Sequence, residues 1–212
     1  GAVLARNFNY HPRPVFQSYS VYTPWLAKRN RDFLASTAAP DRIFFAIDPI
    51  DQKLAAMEDG LSWLELFSRY RLRGGFTFAG AQHLDLEKAP VARALAYGTP
   101  DTYRLEREAW HAVPSEGLLW LHGEPTQRSI AKSLLAQLYK SPIYWLELEL
   151  DGGRVFRRRL IEPLMDSGFL LSPFIDNTRS FRQMARSLTE ASPLEGRVQR
   201  YRIVCNTNDA CP

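Results

Sequence analysis

The chain has 212 residues, 45% hydrophobic and 24% charged, the balance of a folded globular protein, which excludes disorder over most of its length. Its formal net charge of +4 is spread evenly: residues 1–112 hold 14 Lys/Arg against 12 Asp/Glu, and residues 113–212 hold 13 against 11. No nucleic-acid partner is expected, because such binders gather basic charge on one face, and no run of about 18 apolar residues exists to cross a bilayer.

Gly1-Ala-Val-Leu4 reads as the cut edge of a longer chain, and no signal peptide is visible. Arg13 to Tyr22 is rich in aromatic and β-branched residues and reads as a strand. Thr23 then offers an N-cap with Pro24 at the first helical position, and Trp25, Leu26, Arg29, Phe33 and Leu34 recur at helical spacing. Asp41 to Asp48 is a short apolar run, read as a buried strand. Pro49 to Gly60 is an acidic loop, Leu61 to Tyr70 an amphipathic helix, and Phe76 to Ala79 another strand. Strand, helix, strand, helix, strand in that order predicts an α/β layer with parallel pairing.

Residues 81–117 are broken by Pro90, Gly98, Pro100 and Pro114 and read as a connection. Beyond it come a strand at Gly117–Leu121 and a helix at Gln127–Lys140 capped by Thr126. Tyr144 to Leu150 alternates apolar and polar residues, and Asp151-Gly-Gly153 is a hairpin turn into a strand at Arg154–Leu160. Glu147 and Glu149 are placed to face Arg157 or Arg159 across that hairpin. A strand at Gly168–Ser172, a helix capped by Asn177 or Thr178 and running through Leu188, and an alternating strand at Val198–Val204 complete the chain. The expected fold class is α/β (α+β). Residues 1–112 are expected to form a three-layer-like α/β subdomain with parallel strands and residues 113–212 a strand-rich, sandwich-like subdomain with packed helices, either as two units or as one continuous domain.

Chemistry-bearing residues are few. No G-x-S-x-G, Walker A or G-x-G-x-x-G pattern occurs, and His11, His83, His111 and His122 lack metal-ligand spacing. No cofactor and no metal site is predicted. The acidic loop holds Asp48 and Asp51 at the end of a strand, with Glu58 and Asp59 seven residues on. Carboxylates there suit cation binding or acid–base work, or they are simply solvated, with Asp48 or Asp59 capping the next helix. Arg13, Gln17, Tyr19 and Tyr22 combine rings with polar groups, which suits a sugar; alternatively they are ordinary strand alternation. Arg69 to Phe78 mixes basic and aromatic residues, but its glycines do not fit an RNA-recognition strand. Cys205 and Cys211 are separated by five turn-forming residues and are expected to pair as a disulfide, which fits export.

Arg13-Pro-Val-Phe-Gln-Ser-Tyr19 with Tyr22-Thr-Pro24, the strand ending at Asp48, then Asp51 and Glu58-Asp-Gly60 resemble one known context. It is the soluble region of uncharacterised multi-spanning bacterial membrane proteins, which are similar to polytopic glycosyltransferases that use lipid-linked sugars. The resemblance covers roughly residues 10–80, and the pattern from Leu138 through the hairpin to Pro173 resembles the same context. It implies a position on the periplasmic side of the inner membrane, with the transmembrane part of the same polypeptide as partner and a glycan or lipid-linked sugar as ligand. It carries no catalytic residue over. The leading expectation is thus a non-catalytic periplasmic domain with a binding or assembly role. Its rivals are an enzyme acting on sugars or sugar phosphates through Asp48, Asp51 or Glu58 with Arg13, and a cytosolic interaction module.

Overall fold

The structure is a computed structural model, described for residues 9–102, 104–106, 108–123, 143–190 and 193–205. The expected helix at 127–140 and Cys211, the expected partner of Cys205, lie outside the described residues.

Arg13–Tyr22 is not a strand. It runs as bends into a 3-10 turn at Ser18–Ser20, closed by Ser20 N–H and Val21 N–H donating to the carbonyls of Gln17 and Ser18. Pro14 supplies no N–H for a ladder, and Arg13 turns its guanidinium back onto the Phe16 carbonyl. Helix α1 (Pro24–Ala35) follows, with Thr23 Oγ1 accepting from Leu26 N–H as its cap. Its buried face is Ala27, Asn30 and Leu34, while Trp25 is 64% exposed. The inward stripe is therefore rotated from the one that the large side chains suggest.

The remaining elements of the first half are β1 (Arg42–Phe45), α2 (Gly60–Arg69), β2 (Tyr70–Phe78) and β3 (Ala81–Lys88). They form a three-stranded sheet in the order β1-β3-β2, and both pairings are antiparallel. The parallel expectation fails here. β1 and β2 do run the same way across α2, but β3 lies between them and pairs with both. That strand is hidden in the sequence by glycines: Gly74-Gly75 falls at a β-bulge after Leu72, and Ala79-Gly80 forms the two-residue hairpin turn with φ of 50° and 80°. Residues 81–88 are thus the central strand and not a connection.

In the second half, β4 (His111–Ala112), β9 (Val198–Cys205), β6 (Tyr144–Leu150) and β7 (Val155–Arg159) make a four-stranded antiparallel sheet in the order β4-β9-β6-β7. β5 (Leu119–Leu121) pairs with β8 (Phe169–Ser172) as a separate antiparallel ribbon. A short helix α3 (Glu162–Met165) precedes β8. Helix α4 (Thr178–Glu190) is capped by Asn177, whose Oδ1 accepts from Ser180 N–H at 2.9 Å.

One hydrophobic core draws on both halves. Phe181 of α4, 1% exposed, is its hub: its ring lies 5.3 Å from Phe67, 5.2 Å from Trp63 and 4.7 Å from Phe45. Each such ring pair adds about 0.5–1.5 kcal/mol beyond area burial. Thr178 Oγ1 also accepts from Ile47 N–H at 2.9 Å, pinning the chain that leaves β1 to the start of α4. Helix α2 packs on α1 and is linked to β1 through Phe181, and these elements wall the site described next. Among the described residues, no helix is long and apolar enough to cross a membrane.

Candidate functional site

The loop between β1 and α2 is not a solvated acidic loop. Asp48 and Asp51 are exposed, but every residue from Lys53 to Gly60 is buried. The loop edges onto β7, with Arg159 N–H donating to the Gln52 carbonyl at 2.8 Å. Asp51, Gln52 and Asp59 all adopt the left-handed region, with φ of 55°, 57° and 66°. Non-glycine residues there cost of order 1 kcal/mol or more each and cluster at functional sites. Gly60 cannot be replaced cheaply, because a Cβ would meet the Gly168 carbonyl oxygen at 2.9 Å.

The four carboxylates separate into two neighbourhoods. Glu58 is buried beside Lys53, whose Nζ lies 4.0 Å from Asp51 and 5.2 Å above the Tyr22 ring. Burial pushes the Glu58 carboxyl up to about 7; Lys53 and the Ile50 backbone hold it down, and the charges of Asp51 and Asp48 push it further up. Its Oε1 has no hydrogen-bond partner.

Asp59 belongs elsewhere. It precedes α2 at the N-cap, yet its side chain makes no cap hydrogen bond. Its Oδ2 instead accepts from Arg13 Nη1 at 2.6 Å and from Asn30 Nδ2 at 2.9 Å. Asn30 is locked in turn by the Val15 backbone, accepting from its N–H at 2.8 Å and donating to its carbonyl at 3.2 Å. Arg13 Nη2 donates to Ser18 Oγ at 2.8 Å. Burial pushes the Asp59 carboxyl up to about 6 against the pull of Arg13 and Asn30, and burial likewise lowers the Arg13 guanidinium. Both partners shift toward neutrality, so desolvation outweighs their mutual attraction, as is common for buried ion pairs.

These groups form one end of a cleft of about 680 Å³ between residues 9–18, the end of α1, β1 and α2. That volume suits a small ligand. Tyr10, Phe16, Phe33, Phe44 and Trp63 supply aromatic wall, and Arg13, Asp59 and Ser62 supply the polar part. Asp59 is 1% exposed and Ser62 is 2% exposed. Ser62 stands close enough to favour the ionised Asp59, but no well-aligned hydrogen bond joins them. Asp59 Oδ1 and Ser62 Oγ are both buried without a partner.

Of the residues picked out in the sequence, Arg13 and Asp59 meet in the cleft. Asp48, Asp51, Glu58 and Tyr22 gather around Lys53, away from the cleft lining. Gln17 is exposed and Tyr19 sits in the 3-10 turn, so the proposed sugar-facing strand does not exist as such. Asn30 and Ser62 were not legible as site residues, although one signal was present: each is a polar residue on the buried face of its helix. Among the described residues, no group of three or more His, Cys, Asp or Glu is placed to hold a metal ion. The chain matches no family model, no curated protein and no solved structure.

Proposed function

We propose that this chain is the periplasmic, water-exposed part of a larger bacterial membrane protein and that it binds a glycan in the cleft without transforming it. The observation that carries the reading is the pair of buried, unpartnered oxygens, Asp59 Oδ1 and Ser62 Oγ, in a cleft with aromatic walls. Leaving buried polar atoms unpaired costs about 1–3 kcal/mol each, a cost that a polar ligand removes. Rings beside polar groups suit a molecule with apolar faces and hydroxyl edges. Saturation-transfer NMR with neutral hexoses tests it: transfer to the sugar ring protons is expected, and it should weaken in Phe16→Ala, whose exposed ring lines the cleft. Location is tested separately in the full-length protein. A Phe16→Cys variant should react with an impermeant maleimide from the periplasmic side of spheroplasts; labelling only after lysis would refute that placement.

A catalytic reading rests on one further observation. Asp41 lines the same cleft as Asp59, and a carboxyl near 6 can exchange protons at neutral pH. Hydrolysis of chromogenic glycosides, abolished in both Asp59→Asn and Asp41→Asn, would favour it over simple binding.

A further inference from the structure

We infer that the ligand of the cleft is an uncharged vicinal diol, one hydroxyl donating to Asp59 Oδ1 and its neighbour bonding Ser62 Oγ, and that phosphorylated sugars are excluded. This rests on the glycan reading above and narrows it. The argument starts from the inventory of what the cleft can still bond. A guanidinium carries five N–H donors, and four protein acceptor contacts already engage Arg13: Asp59, Ser18 and the Phe16 carbonyl twice. Its charge is balanced by Asp59. The other arginine lining the cleft, Arg42, is paired with Asp85 at 2.6 Å. Among the described residues of the cleft, both arginines are thus already paired with carboxylates, the remaining basic side chain is His11, whose ring packs edge-on against Phe33, and an entering phosphate meets the Asp59 carboxylate itself.

What the cleft offers is an acceptor and a hydroxyl. Asp59 Oδ1 accepts a donor, and Ser62 Oγ both donates and accepts. The two residues are three apart at the start of α2, Asp59 at the N-cap and Ser62 in the first turn, so they present adjacent oxygens on one side of the helix end. Two neighbouring hydroxyls on one sugar ring match that arrangement, because each can give or take a hydrogen bond. Asp59 could satisfy its carboxylate by capping α2. Instead Arg13 and Asn30 hold Oδ2, and Oδ1 is left over. Ser62 Oγ lies close to Asp59 but makes no well-aligned hydrogen bond to the protein, so replacing its hydroxyl by a methyl removes little from the folded state.

The test combines ligands and one variant. Saturation-transfer and chemical-shift titrations are run with mannose, glucose, a methyl 2,4-dideoxyhexoside, which has no vicinal diol, and mannose 6-phosphate. The neutral hexoses should bind at least about tenfold more tightly than the dideoxy glycoside and the phosphate, the size of one well-made hydrogen bond to a charged group. Ser62→Ala should keep or raise the melting temperature while weakening hexose binding about tenfold. If hexoses bind and Phe16→Ala weakens them, but Ser62→Ala and the loss of every vicinal diol in the dideoxy glycoside make no difference, the diol assignment falls and the glycan reading stands. Stronger binding of mannose 6-phosphate also overturns the assignment. If none of the four ligands binds, the glycan reading falls and takes the assignment with it. A loss of stability in Ser62→Ala would assign the hydroxyl a structural role and remove the argument for a ligand there.

Discussion

Two sets of arginine–carboxylate pairs in this protein look alike by distance and differ in every other respect. At the cleft, Arg13 meets Asp59 at 2.6 Å with the carboxylate fully buried, in a left-handed backbone conformation and pushed toward neutrality. On the four-stranded sheet, Arg202 meets Glu147 and Arg200 meets Glu149, each at 2.7 Å, across the neighbouring strands β6 and β9. Trp110 lies 4.7 Å from both of those guanidinium groups, and Arg157 stacks 4.7 Å above Trp145. The sheet pairs are cross-strand neighbours that fall together once the register is set, and water reaches them. The cleft pair requires Asn30, Val15 and a strained residue to hold it. A pair that must be built at such cost is there to fix a geometry, whereas the ladder tightens a sheet that its buried leucines already hold.

The largest expected effect comes from breaking the buried pair. Arg13→Met leaves the Asp59 carboxylate buried without its cation and should cost about 3 kcal/mol in urea unfolding. Adding Asp59→Asn to it should recover most of that loss; a double variant no more stable than Arg13→Met would show that the pair is not the cause. Next is Glu58. Its folded-state value, about 7, lies above the ordinary carboxylate range, so the folded form holds its proton more tightly than the unfolded chain. That contribution to stability is complete at low pH and is lost as pH rises through about 7. Wild type should therefore gain stability on acidification from pH 8 to pH 5.5. Glu58→Gln should be more stable by about 1–3 kcal/mol at pH 8, with a flatter profile over that range. A wild-type profile that falls on acidification would contradict the burial of Glu58 as an acid. The smallest effect belongs to the ladder: Arg200→Met or Arg202→Met should each cost less than about 1 kcal/mol, and less still in high salt.

The sequence was readable where local physics decides. Thr23-Pro24 started α1, Asn177 capped α4, and the alternation from Tyr144 to Leu150 with Asp151-Gly-Gly153 fixed the hairpin, including the Glu147 to Arg157 facing. What failed was partner choice. Glu147 and Glu149 take their close partners from β9, some fifty residues away, and no local pattern specifies Arg200 and Arg202 for them. The parallel sheet failed for the same reason, since strand, helix, strand order does not reveal a third strand inserted between the first two. At the site, Arg13 is singled out on an expected sugar-facing strand and Asp59 in an acidic loop, but their meeting 46 residues apart depends on Asn30 standing on the buried face of α1. The rival expectation, Asp48, Asp51 or Glu58 working with Arg13, finds no support in the cleft, which Arg13 and Asp59 line and those three residues do not.

The insertion of β3 also sets an order of assembly. Among the described residues, β1 has β3 as its only neighbour in its sheet, and β3 is joined to β2 by a two-residue turn. The β2–β3 hairpin closes a short loop, which chain statistics favour, whereas β1 to β3 spans some forty residues. The local hairpin therefore offers the template on which β1 docks, and only then does the wall of the cleft that contains Phe44 exist. A defect at Ala79-Gly80, far from Asp59, would delay completion of the binding cleft through the timing of folding alone, with every contact in the finished site unchanged.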